Sequence, residues 1–322
     1  MLSPASVSST IGTVFMITAS ELRSNIQSTL NTYWISVSKV HAAFCALLVI
    51  LWIGPCARFA QGQTPGPTPE EKLVAEFTDP LTTLPQISLR DAYSPANFGT
   101  HVQTNQVILR PIIPRLPAYA LLPFVQLIRP TFALVTVPSA RGGSRTEFGD
   151  IELFDLGVLP WPSRETGLLI GVGPTLVFPT ATSRSAGQGA WQAGPAFGAV
   201  YKGIPWLVVG FILQNPISFA YTSPVRPPQS TIEFQPVMAM HLWEGWYLRS
   251  AEATWVSGWR HHSPTELPLS LGIGDVLVRP GPPPLNSFVT GQWMVYRQFA
   301  PIAPQTTVNF GVTVGFPQLS PW

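Results

Sequence analysis

Charge is scarce in this chain. Lys and Arg number 18 and Asp and Glu 16 among 322 residues, 11% in all, where soluble globular proteins carry about 25%. A formal net charge of +2 with no basic cluster gives no footing for a nucleic-acid partner. Hydrophobic residues make up 46% and the mean hydropathy is +0.24, yet no apolar run reaches the length of about 20 that a helical membrane span needs. The 35 prolines argue against long helices and for turns and extended chain. No Gly-x-Ser-x-Gly elbow occurs, and no nucleophile has a His and an acid at workable spacing. His261-His262 has no acidic or cysteine partners at ligand spacing and reads as a solvated loop. Gly171-Val172-Gly173 and Gly272-Ile273-Gly274 open no helix and read as strand glycines, not half of a nucleotide fingerprint. No catalytic residue, cofactor or metal is therefore expected.

What the chain has in quantity is alternation. In Thr306 to Phe316 one face carries Val308, Phe310, Val312, Val314 and Phe316, and the other only Thr307, Asn309, Gly311, Thr313 and Gly315. That is a strand with one apolar side and one of small, uncharged residues. The same rule returns upstream, with apolar sets such as Val107/Leu109, Ile128/Phe132/Leu134, Leu168/Ile170/Val172, Leu207/Val209/Phe211 and Leu269/Leu271/Ile273. Opposite them lie Arg110, Arg129, Asp150, Glu152, Gln192, Gln214, Glu233, Gln235, His241 and Gln292. Two places blur the pattern. Asp155 interrupts the phase, which predicts a bulge. In Trp246 to Trp259 two phases compete, and Glu252 and Thr254 are assigned to the polar side.

From Gln86 the count reaches about twelve strands of roughly ten residues, the length of a tilted strand crossing hydrocarbon. Tight connections, Lys202-Gly203-Ile204-Pro205 and Trp243-Glu244-Gly245, alternate with longer polar ones at 180–189, 221–230 and 258–266. An isolated edge is untenable in lipid, so the sheet must close. The expected fold is all-β, a transmembrane antiparallel up-and-down β-barrel over 86–322. Pro111, Pro130, Pro174, Pro195, Pro216, Pro236 and Pro268 fall within the strands and predict bulges or bends. Trp161, Trp206, Trp243, Trp246, Tyr247 and Trp255 sit near segment ends, as interfacial girdles do, although core packing serves each of them as well.

The amino-terminal part differs. Lys39 and His41 precede an apolar stretch from Ala42 to Ile53, then Ala60-Gln61-Gly62. Residues 1–62 read as an N-terminal extension and secretory signal peptide cleaved after Gly62, with Met1 an overextended start. Both cysteines, Cys45 and Cys56, lie ahead of that cut, so the mature chain needs no disulfide. Residues 63–85, Pro- and Gly-rich with acidic Glu70-Glu71, read as a periplasmic linker.

The runs Asn105 to Pro111, Gly187 to Pro195, Gln214 to Ser218 and Gly245 to Leu248 resemble a family of Gram-negative outer-membrane barrels loosely called transporters, akin to proteins of meta-pathway phenol degradation. The resemblance covers Gln86 to Phe316. It implies a closed barrel in the cell outer membrane, lipid and the barrel-assembly machinery as partners, and passage of small molecules, apolar or aromatic ones among them. It also makes Phe310, Val312, Val314 and Phe316 look like an assembly signal, although Pro317 to Trp322 follow, so Phe316 and Trp322 both qualify as its end. The polar residues would form a lumen constriction of Arg110, Arg129, Asp150, Glu152, Gln192, Gln214, Glu233, Gln235, His241 and Glu252, with Arg129 pairing to Asp150 or Glu152. The alternative reading, which the residues favour, is a network that plugs the barrel and holds it in shape. Three readings stand at this level: a passive channel, a barrel with a structural or enzymatic role, and an exported soluble β-sandwich.

Overall fold

A computed structural model describes residues 69–113, 125–138, 143–159, 167–223, 226, 228–250, 252–259, 264–300 and 302–319. The signal segment with its cut after Gly62, Trp161, the His261-His262 pair and Trp322 lie outside the described residues.

Twelve antiparallel strands close into a barrel. They are β1 (Gln86–Ser94), β2 (Thr104–Ile112), β3 (Val125–Pro138), β4 (Ser144–Phe148 continued by Ile151–Leu159), β5 (Leu168–Phe178), β6 (Ala190–Ile204), β7 (Leu207–Gln214 continued by Ile217–Tyr221), β8 (Thr231–Trp243), β9 (Trp246–Ser250 continued by Trp255–Gly258), β10 (Thr265–Leu277), β11 (Leu285–Gln298) and β12 (Thr306–Gly315). Each pairs with the next, and the ring shuts where β12 meets β1, from Gln86↔Gly315 to Tyr93↔Val308. The two-residue period supplies the radial order. Leu89, Val172, Phe219, Trp293, Val308 and Phe310 stand exposed on the outer wall, while Gln192, Ser270, Asn286, Thr290, Asn309 and Thr313 are buried inside.

A helix, α1 (Pro69–Thr78), precedes the barrel, and with the turn that follows it lies among lumen-facing side chains at the end where β1 begins. This corrects the linker expected over 63–85, whose part from Pro69 onward is structured and packed. Val74, Phe77, Leu81 and Leu84 bury against Leu127, Phe154, Leu156, Val158, Leu169, Val200, Val208 and Ile212. Leu81, fully buried, sits over the backbones of Gly171 and Gly198, where a Cβ would come within 2.9 and 2.7 Å of its Cδ2. Phe77 occupies the corresponding gap at Gly315. Lys202 Nζ fixes the helix end by pairing with Asp79 Oδ2 at 2.7 Å and Glu76 Oε1 at 3.0 Å. Burial pushes the Asp79 carboxyl up from its ordinary value, and the Lys202 ammonium pulls it back down. The lumen thus has an apolar half, filled by α1, and a polar half beyond it. That is why β4 turns inward with Glu152 in one half and Phe154, Leu156 and Val158 in the other.

Asp155 causes no bulge. It pairs in step with Ile128 of β3, and the β4–β5 register resumes unshifted at Gly157↔Val172. The missing pairs face Pro174, which has no N–H to donate. Gly173 before it lets the Asp155 carbonyl approach where a Cβ would overlap it, and Gly194 before Pro195 does the same for Asn215. Pro216 falls in the break within β7, and Pro268 sits at a register shift against β11. Pro111 and Pro130 face one another where the β2–β3 ladder stops at Leu109↔Phe132 and returns only at Ile113↔Ile128, while each pairs without a break on its other side. Pro236 pairs in step with Phe211 of β7 and faces the break in β9. Short connections occur at Glu244-Gly245 and at 205–206, both at the α1 end. The alternation is not strict, since the longer connection at 278–284 lies at that end too.

Candidate functional site

Inside the lumen, four arginines from four strands gather around one carboxylate, and three of them, Arg90, Arg110 and Arg249, reach it. Arg90 of β1, Arg110 of β2, Arg129 of β3 and Arg249 of β9 project inward because each falls on the polar phase of its strand. Glu252 comes from the break in β9, where its φ of +71° turns the chain and shifts the phase. Tyr247 and Arg249 before the break and Glu252 and Thr254 after it therefore all face inward. The two competing phases of this stretch both occur, one up to Ser250 and the other from Glu252.

Glu252 is saturated. Its Oε2 accepts from Arg90 Nη1 and lies 3.8 Å from Arg110 Nη1, and its Oε1 accepts from Arg249 Nη2 at 3.0 Å. Arg249 also stacks over the Phe288 ring at 3.9 Å, and Arg129 over Phe154 at 4.6 Å. Arg110 Nε donates to Thr131 Oγ1 at 3.3 Å. Arg129 makes no ion pair or hydrogen bond among the described residues, so the pairing expected with Asp150 or Glu152 is absent. Its charge sits against an aromatic face because Glu252 is already taken by its neighbours.

On the side of this layer away from α1, two cavities of about 450 and 310 Å³ fill the polar half. They share Arg90, Gln106, Val135 and Thr254 as lining, and the larger reaches Asn97, Pro304 and Gln305 at the rim. On the α1 side only about 80 Å³ remains, between Phe77, Asp79, Arg129 and Arg249. Of the residues expected in a constriction, Arg110, Arg129, Asp150, Glu152, Gln214, Glu233 and Gln235 line the 310 Å³ cavity. Glu152 has no hydrogen bond among the described residues, and Glu233 accepts one, from Thr231 Oγ1 at 3.3 Å. Gln192 is buried against Gln188.

One lining residue has a further role, and one expected member, His241, stands elsewhere. Asp150 anchors the rim loop at 179–189, accepting from Ala181 N at 3.1 Å and Gln188 N at 2.6 Å. His241 lies at the α1 end, its Nε2 2.6 Å from the Glu244 carbonyl and its Nδ1 3.7 Å from Glu71. Tyr247 belongs to no girdle either. It is fully buried inside, donating to Asn286 Oδ1 at 2.6 Å, whereas Trp243 and Trp246 beside it are exposed. Trp255 donates its Nε1 to the Pro268 carbonyl at 2.8 Å and continues an outer-wall series of ring contacts through Phe234, Phe211 and Phe197. Arg90 and Arg249 are the members that the sequence reading misses. Arg90 is recoverable from the outward trio Ile87, Leu89 and Tyr93, which fixes it on the inner phase.

No protein-family model and no curated protein matches the sequence. Among solved structures, an outer membrane channel from Pseudomonas putida F1 is similar at 12% identity and TM-score 0.50, over 79% of this chain and 100% of that one. The KdgM porin gives 8% identity and TM-score 0.43, over 72% and 99% of the two chains. The NanC porin gives 12% and 0.42, over 71% and 98%. What this chain shares with the first of them is its fold, a closed β-barrel of the outer-membrane kind.

Proposed function

We propose that this protein is an outer-membrane channel through which small molecules pass without expenditure of energy, and that α1 must leave its seat for a route to open. The observation that carries the reading is the radial order of the closed ring, apolar side chains exposed on its outer wall and charged cavities inside that reach one rim. In this reading the α1 end faces the periplasm, Phe310, Val312, Val314 and Phe316 serve recognition by the assembly machinery, and lipid covers the outer wall. The sequence resemblance implies apolar or aromatic cargo. The arginine and glutamate lining of the outer lumen favours polar cargo instead.

A second reading has one observation in its favour. The α1 segment fills the lumen with a continuous apolar contact and a double ion pair, as a permanent seal would. Planar-bilayer recording on the refolded chain separates the two. A gated channel gives rare openings in the native chain and an increased open probability in Leu81→Asp, which cannot bury its carboxylate between Gly171 and Gly198. A barrel that folds but stays silent in both forms, with every salt and solute tried, is a seal and not a channel.

A further inference from the structure

The 310 Å³ cavity holds charges of both signs that do not satisfy one another. On one wall Arg129 is nine-tenths buried, its Nε bare, with no acceptor among the described residues. Arg110 beside it reaches Glu252 only at 3.8 Å. Facing the same space, Glu152 is exposed to the cavity and without a hydrogen bond among the described residues, and Glu233 has only the Thr231 hydroxyl. No ion pair within 4.0 Å crosses between the two sets, although Glu252 a short way off binds every arginine it can reach. A buried guanidinium without an acceptor is costly, and a planar oxyanion is the partner its fork fits best. An anion with no positive charge of its own would be repelled by Glu152 and Glu233. A cation alone would meet Arg110 and Arg129. A solute bearing both charges satisfies both walls.

We infer that the outer lumen is a binding station for a small zwitterion, its carboxylate on Arg129 and Arg110 and its ammonium on Glu152 and Glu233. The site deepens the channel reading by naming a class of cargo, and it requires only access from the rim, not movement of α1. A solute of this class would displace water from the cavity while leaving the Arg90–Glu252–Arg249 cluster intact.

The test is calorimetric titration of the intact chain in detergent at low ionic strength, with ω-amino acids from glycine to 6-aminohexanoate as probes. Each is compared with the carboxylate and the alkylammonium of equal length. At least one zwitterion should bind about tenfold or more tightly than both of its singly charged analogues. Arg129→Ala should bring that zwitterion down to the level of the alkylammonium, and Glu152→Gln down to the level of the carboxylate. Carboxylates that bind as tightly as zwitterions would reduce the station to an anion site and overturn the proposal, as would the absence of binding across the whole series. The ranking in the native chain needs no variant, so a substitution that fails to fold leaves the test intact. Conductance is read separately, so a zwitterion station without passage, or passage without the station, identifies which of the two readings has failed.

Discussion

Glu252 holds a left-handed backbone at φ +71°, a conformation that costs a residue with a Cβ roughly 1–2 kcal/mol. What offsets it is the position the side chain gains, with Arg90, Arg110 and Arg249 all turned toward its two oxygens. Removing the carboxylate leaves the buried guanidinium groups of Arg90 and Arg249 without a counter-charge. Glu252→Ala should therefore lower stability by about 3 kcal/mol or more, read as a fall in the urea midpoint for refolding into lipid vesicles. Glu252→Gly keeps the turn but not the charge, and should recover no more than about 1 kcal/mol of that loss. Arg249 was not legible in the sequence because a period-two pattern carries no mark of where it slips, and the slip lies at the break in β9 where Glu252 takes its left-handed φ. Arg90 was legible from its outward neighbours. Asp155 marks the opposite kind of error, since a polar residue on the outer phase looks like a broken register although the register is intact.

At the scale of elements, α1 is the piece the sequence hides best. Its neighbours are rich in Pro and Gly, its length is 10 residues, and only Val74 and Phe77, with Leu81 in the turn that follows, hint at a face, with Pro69 and Glu70-Glu71 as a helix-start signal read as linker. Nothing local says that this face meets the inside of a barrel. Leu81→Ala should weaken docking of α1 by about 2–4 kcal/mol, the range for emptying a packed leucine site. Hydrogen exchange should then quicken across 70–84 while the strands stay protected. Gly198→Val acts from the other side by filling the seat of Leu81, and should give the same local exchange pattern. Within the wall, Gly194→Ala should cost about 1–3 kcal/mol through overlap with the Asn215 carbonyl. It would be detected as a lower temperature for loss of the folded band on unheated gels.

For the whole molecule, the ring was the legible part. Alternation needs only one dimension to be seen, and it repeats from Gln86 to Gly315. The division of the lumen into apolar and polar halves was not, since it depends on which residues a distant segment covers. The exposed outer wall makes a prediction of its own. Val308→Arg, on the outer phase of β12, should cost up to about 2–4 kcal/mol in refolding into lipid, depending on depth. The same substitution in detergent should cost less, whereas Asn309→Ala, one residue away and facing inward, should not depend on lipid.

The salt-bridge cluster carries one more consequence. Arg90 belongs to the first strand and Glu252 and Arg249 to the ninth, so their contact spans the cylinder as a chord and subtends the arc that contains the β12–β1 seam. Like a tie-rod under an arch, it keeps that arc from spreading. The joint between the first and last strands is thereby braced from within, and unzipping should start on the far arc, where Pro174, Pro195 and Pro216 already leave rungs out of the ladder.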